Sequence, residues 1–251
     1  MKIVGSDYDG TLSYGGITER KLRAIEKWRK AGNKFGLVSG RGKEFRAQLQ
    51  NMAPDLTLDF FAVCNGAYIM DENGKPMYDV RCKEVALLPF VKDLFAFGGA
   101  FVQVHGERYL CVVQRETDVP KNFPKDILCL LAELPQIEEF NQVSVRMNTM
   151  EETTAAVEKI RKKYGKWLNP LQNGLNIDIV PVGVDKAEGM RRIMEFFGCK
   201  EEDVIAVGDN VNDMDMIRAF RSYAMANGVA AVKELADGIV EDVADLLEME
   251  L

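Results

Sequence analysis

Apolar positions along this chain follow two different rhythms. Ile3-Val4-Gly5-Ser6 is a short run with no polar face, too short for a helix, and reads as a buried strand leading into a loop. Thr18 then caps a helix that continues to Lys30, with Leu22, Ile25 and Trp28 at helical spacing and Gly32-Asn33 as its stop. Residues 34–38 form a second apolar run ending in Ser39-Gly40-Arg41-Gly42, and a helix follows through Phe45 and Leu49. Residues 60–64 form a third, ending in Asn65-Gly66-Ala67. Strand and helix alternating at this spacing predict an α/β fold, a Rossmann-like parallel sheet.

The rhythm changes after residue 67. Residues 68–70 and 76–78 flank Asn73-Gly74 and predict a hairpin. Residues 101–104 and 108–113 predict another, with His105-Gly106-Glu107 as its tip. Alternating strands at 143–147 and 175–180 are separated by a helix from Glu151 to Tyr164. Residues 81–184 are therefore expected to form an α+β unit on an antiparallel sheet. The first rhythm returns at Asp185, where a helix from Lys186 carries Met190, Ile193, Met194 and Phe197. The run 204–207 is another buried strand, and two short ones are expected near 222–225 and 238–240. The economical reading is a discontinuous core, 1–80 with 185–251, interrupted by an inserted domain.

Composition narrows the function. The 251 residues are 47% hydrophobic and 28% charged, which is ordinary for a globular protein. A formal net charge of -7 argues against nucleic acid as a partner. The N-terminal residues lack the charged-then-apolar pattern of a signal peptide, and no run is long enough to span a bilayer, so the expectation is a cytoplasmic protein without membrane contact. Five dispersed cysteines with no C-x-x-C pair fit reduced, packed thiols. The single histidine, His105, excludes a multi-histidine metal site.

The expected strand ends carry the chemistry. In an open parallel sheet, ligands bind outside the carboxyl ends of the strands. Asp7 and Asp9, Ser39, Asn65, and Asp209 with Asp213 stand at such ends, and Lys186 opens the helix after the insertion. Alone, Asp7-Tyr8-Asp9 would be a solvated acidic turn. Four aspartates at one edge would repel strongly, each pair by about 4 kcal/mol at 4 Å in an effective dielectric of 20. A hard, oxygen-seeking cation such as Mg²⁺ removes that repulsion. Ser39 and Lys186 supply a donor and a fixed positive charge for a phosphoryl group.

Asp7-Tyr8-Asp9-Gly10-Thr11, Val38-Ser39-Gly40-Arg41, Lys186 and Gly208-Asp209-Asn210-Val211-Asn212-Asp213 together resemble, in order and spacing, the four motifs of the haloacid dehalogenase (HAD) superfamily. The long insertion between the second and third motifs, with Asn65-Gly66-Ala67 before it, is similar to the class IIB cap of Cof-type sugar phosphatases. The resemblance implies that Asp7 is a nucleophile forming an aspartyl-phosphate and Asp9 a general acid and base. It implies that Ser39, Gly40 and Lys186 hold the phosphoryl group. Asp7, the Asp9 carbonyl and Asp209 would bind Mg²⁺, with Asn212 or Asp213 as a further ligand or support. Arg41 and Asn65 are candidate substrate contacts. This chain departs from the commoner pattern at Ala187 and Glu188 and at Tyr8.

The expected function is Mg²⁺-dependent hydrolysis of a small phosphorylated metabolite, a sugar phosphate foremost. The alternatives are a phosphomutase or phosphotransferase sharing the aspartyl-phosphate, and a non-catalytic phosphometabolite-binding protein.

Overall fold

The computed structural model describes residues 1–115 and 124–251. In chain order the elements are β1 (Ile3–Ser6), α1 (Glu19–Lys30), β2 (Lys34–Val38), α2 (Phe45–Met52), β3 (Phe60–Val63), β4 (Tyr68–Asp71) and β5 (Pro76–Asp79). Then come α3 (Leu87–Ala96), β6 (Phe101–His105), β7 (Tyr109–Val113), β8 (Leu128–Leu130), β9 (Gln142–Arg146), α4 (Met150–Tyr164), β10 (Leu168–Asn173) and β11 (Asn176–Pro181). The last are α5 (Lys186–Phe197), β12 (Val204–Gly208), α6 (Met214–Ala219), β13 (Arg221–Met225), α7 (Ala230–Leu235), β14 (Gly238–Val240) and α8 (Val243–Glu250). The chain divides into two compact units, Met1–Asp79 with Asp185–Leu251, and Val80–Val184.

The first unit is an eight-stranded sheet in the order β14-β13-β12-β1-β2-β3-β4-β5. The strands from β14 to β3 run parallel, and the β4–β5 hairpin adds an antiparallel edge. Successive residues of one strand serve opposite faces. Val4, Ile205 and Val207 pack with Trp28, Phe45 and Leu247, while Ile3, Val204 and Ala206 pack with Met190, Ile193 and Met216. Burial on both faces is why these strands read as unbroken apolar runs. The chain leaves β1 toward β2 and later returns to β12 on β1's other side, so the switch in strand order falls between β1 and β12.

The second unit has a six-stranded sheet, β10-β11-β9-β6-β7-β8. One face, with Val102, Val104, Val143, Val145, Ile177 and Ile179, packs against Phe90 and Leu94 of α3 and Val157 and Ile160 of α4. Asp178, Ser144 and Gln103 lie opposite one another across β11, β9 and β6 and alternate with those apolar positions.

Three expectations are corrected. The sheet is not wholly antiparallel, because β8 pairs parallel to β7. Strands β8 and β10 escape the reading since both are edge strands, one very short and the other containing Pro170, a residue that only an edge tolerates. His105 is not a loop tip: it is the last residue of β6, buried, paired with Tyr109 and stacked on its ring at 4.7 Å.

Helix α1 starts where expected, with the Thr18 hydroxyl accepting from Lys21 N–H, but its inner face is rotated. The buried stripe is Lys21, Ala24, Ile25 and Trp28, and Leu22 is only half-buried. The Lys21 ammonium donates to the Leu12 and Gly16 carbonyls at 2.9 Å each, and also to the Tyr14 carbonyl. It thereby gathers the loop that leaves the β1 end. Lys21→Met would strand these carbonyls, and a loss of about 2–3 kcal/mol is expected in denaturant unfolding.

Candidate active site

Asp7 directly follows β1 and continues its ladder, donating its N–H to the Val207 carbonyl at 2.9 Å. Its side chain is 7% exposed. The wide turn Tyr8–Leu12 then reverses the chain, with Gly10 at φ 82°. A side chain at Gly10 would be strained by that angle and would meet Asp209 Oδ2 at 2.4 Å. Asp209 follows β12, so the two strand ends flanking the switch point each bring one carboxylate to the same place.

Asp213 completes the cluster. Ligand atoms of Asp7, Asp209 and Asp213 lie within 4.8 Å of one another. Lys186, the first residue of α5, sends its fully buried ammonium between two of them, 2.6 Å from Asp7 Oδ1 and 2.5 Å from Asp213 Oδ1. The other Asp213 oxygen accepts from the Asp209 and Asn210 amides at 2.9 and 3.0 Å, which fixes the turn after β12. Asp209 Oδ1 accepts from the Thr11 hydroxyl at 2.7 Å.

Three carboxylates face one ammonium, and the electrostatics register the imbalance. Burial pushes Asp7 up to about 8; Lys186 opposes the shift, and Asp213 and Asp209 add to it. Burial likewise raises Asp209, against the pull of its Thr11 hydrogen bond. Lys186 is pushed down by burial, but Asp213 and Asp7 together outweigh that and leave it raised, firmly protonated. Clustered hard carboxylate oxygens, whose charge one ammonium does not balance once all three are ionised, fit one divalent cation.

Asp9 is not part of this cluster. Its side chain is 58% exposed, and both oxygens take the Arg41 guanidinium, Nε and Nη2 each at 2.7 Å. Arg41, a candidate substrate contact, is thus engaged with Asp9. Ser39 lies just past β2, 1% exposed, and its Oγ accepts from the Arg41 amide at 3.2 Å. Gly40 between them is half-buried. Asn65 is buried in the turn Cys64–Gly66, with Cys64 at φ 51° and Asn65 at φ 53°, and donates its N–H to the Ser39 carbonyl at 2.9 Å. Two consecutive non-glycine residues in the left-handed region store strain beside the site. Asn212 sits half-buried in the turn Val211–Asp213.

Two contributors escaped the sequence reading. The Asn227 side chain donates to the Gly10 carbonyl at 2.8 Å, bracing the Asp7 loop from the end of β13. Its signal was an Asn-Gly pair after a strand, the same mark that singled out Asn65. The other is Gly189. Asp185 caps α5, its carboxylate accepting from Glu188 N–H at 2.7 Å, so the departure at Glu188 leaves the cap intact. One residue on, a Cβ at Gly189 would lie 2.9 Å from Gly66 Cα. Bare backbone on both sides lets α5 approach the β3 turn and deliver Lys186.

Comparison with known proteins identifies the family and the fold. The profile of a family described as haloacid dehalogenase-like hydrolase matches residues 4–245. The chain is 40% identical over 260 residues to 5-amino-6-(5-phospho-D-ribitylamino)uracil phosphatase YitU of Bacillus subtilis, covering 94% of this chain and 90% of that one. It is 24% identical to the Escherichia coli K12 phosphatase YbjI, whose name specifies the same compound, over 92% and 88% of the two chains. A haloacid dehalogenase-like hydrolase from B. subtilis superposes with a TM-score of 0.81 at 16% identity, covering both chains fully. The HAD subclass IIB sugar phosphatase BT4131 does so with a TM-score of 0.78 at 20% identity, over 100% of this chain and 99% of that one.

Gly189→Ala forces α5 off the β3 turn. A loss of about 1–3 kcal/mol is expected in thermal or denaturant melts. A variant as stable as the parent would show that the approach is not tight.

Proposed function

Because this chain belongs to the haloacid dehalogenase-like hydrolase family and is a phosphatase acting on phosphorylated substrates, we propose that it hydrolyses a small phosphomonoester of a sugar or sugar alcohol, with Mg²⁺ as cofactor and through a phosphoaspartate at Asp7. The observation that carries this reading is the buried Asp7 carboxylate at the switch point, sharing one Lys186 ammonium with Asp213. The relative at 40% identity, whose named substrate bears a 5-phospho-D-ribityl chain, supports a polyhydroxylated leaving group.

Asp7 and Asp209, with the Asp9 backbone carbonyl, would hold the cation; Asn212 is a further candidate. Asp213 contributes by orientation, since its oxygens already serve Lys186 and two amides. When bound, Mg²⁺ neutralises the cluster and draws charge from the phosphoryl oxygens. Lys186 has three N–H donors, two of them engaged with carboxylates, which leaves one for a phosphoryl oxygen. The Ser39 hydroxyl and Gly40 amide supply the remaining donors.

Asp7 attacks phosphorus as the bond to the leaving oxygen breaks, and Asp9 gives that oxygen its proton. The Asp9 carboxylate then takes a proton from water, whose oxygen attacks phosphorus and frees Asp7. Chemistry is assigned to the discontinuous unit. Choice of leaving group is assigned to residues 80–184, whose sheet carries the polar row Asp178, Ser144 and Gln103.

Asp7→Asn preserves shape but removes the attacking charge. Release of inorganic phosphate from sugar phosphates should fall by at least about 10³-fold while the circular dichroism spectrum and melting temperature are retained. Undiminished Mg²⁺-dependent release would refute the nucleophile.

Metal binding should depend on pH. The folded, metal-free protein keeps a proton on Asp7 up to about pH 8, whereas an unfolded aspartate loses it near 3.8. A raised carboxylate makes the metal-free fold less stable as pH climbs from 4 toward 8, and a cation must displace the proton. Apparent Mg²⁺ affinity should therefore rise about tenfold per unit below pH 8 and level off above it. Titration calorimetry in buffers of different ionisation enthalpy reads the proton directly: release below pH 8 and none at pH 9 is the expected result.

A further inference from the structure

The contact between Arg41 and Asp9 gives Arg41 a task other than binding substrate. An exposed carboxylate three residues past a strand end has a broad terminal torsion and no intrinsic reason to hold one direction. Here both oxygens are gripped by one planar fork, at 2.7 Å each. The fork is itself held. Its guanidinium carbon lies 4.4 Å from the centre of the Phe45 ring and 5.2 Å from that of Tyr8, and these rings meet edge to face at 4.7 Å.

The root of the side chain is pinned too. Arg41 N–H donates to Ser39 Oγ at 3.2 Å, and its carbonyl accepts from Cys64 N–H at 2.7 Å. Rings fix the plane, backbone fixes the origin, and the fork fixes Asp9. With Nε and Nη2 committed to Asp9, the paired donor edge that would clasp a phosphate is already in use. Tyr8 has a place in this arrangement: its ring is one wall of the slot.

We propose that Arg41 is the positioning residue for Asp9, aiming its carboxylate for proton transfer and acting through Asp9 rather than on the substrate. This rests on the reading of Asp9 as the group that protonates the leaving oxygen. Arginine and lysine differ here, because an ammonium cannot reproduce the fork.

The test compares Arg41→Met, Arg41→Ala, Arg41→Lys and Asp9→Asn on a sugar phosphate, whose alkoxide needs a proton to leave, and on p-nitrophenyl phosphate, whose phenolate does not. In Arg41→Met, kcat/KM should fall about 10- to 100-fold on the sugar phosphate and less than about threefold on the aryl ester. Arg41→Lys should recover little of the loss, and added guanidinium ion should restore part of it to Arg41→Ala. A raised KM with kcat preserved on both esters would make Arg41 a substrate contact and overturn the proposal. Equal losses on both esters would do the same and make its role structural. If Asp9→Asn discriminates between the esters and Arg41→Met does not, the positioning alone fails. If Asp9→Asn does not discriminate, the acid role of Asp9 fails and takes the positioning with it.

Discussion

Everything at the β1 edge depends on one buried ammonium. Asp7, Asp209 and Asp213 converge from the ends of two neighbouring strands, and without compensation their charges would drive that edge apart. Lys186 enters from the first turn of α5, fully buried, and bonds two of the three. Other features work to bring it there: the Asp185 cap starts the helix at the right residue, and Gly189 against Gly66 lets the helix close on the sheet. The same lysine that makes the apo fold tolerable leaves the cluster two charges short of neutrality once all three carboxylates are ionised. Stability and cation demand have one cause.

One residue, Tyr8, separates two carboxylates in opposite surroundings. Asp7 is buried among like charges and held by an ammonium; Asp9 is exposed and held by a guanidinium that stacks on aromatic rings. A strand that ends between β12 and β2 sends Asp7 inward, and the extended backbone at Asp9 before Gly10 sends the next carboxylate outward. Local geometry divides roles that chemistry alone would leave equivalent.

How much of this was legible follows from what kind of signal each part leaves. The core strands were plain because burial on both faces erases alternation and writes an apolar run, and Asp7, Ser39, Asn65 and Asp209 were found as what comes next. Edge strands β8 and β10 leave no such mark. Leu22 was expected on the inner face of α1 and Lys21 takes that place, because its burial is decided by carbonyls that only the folded loop assembles. Gly189 carries no mark of its own in the sequence, and its meaning exists only beside Gly66. The Arg41 grip on Asp9 is likewise a property of two loops meeting, invisible in either.

The Asp7–Lys186 contact also has a consequence in time. Its partners are 179 residues apart in the chain, and β1 needs β12 as a neighbour on one flank. On a ribosome, Asp7 is made early and waits, one flank of its strand unpaired, while the whole of residues 80–184 is synthesised. That second unit is continuous and can complete itself meanwhile. The core cannot. The nascent chain must shelter an open sheet edge until α5 and β12 emerge, so a segment translated after the whole second unit completes both the parallel sheet and the carboxylate–ammonium cluster.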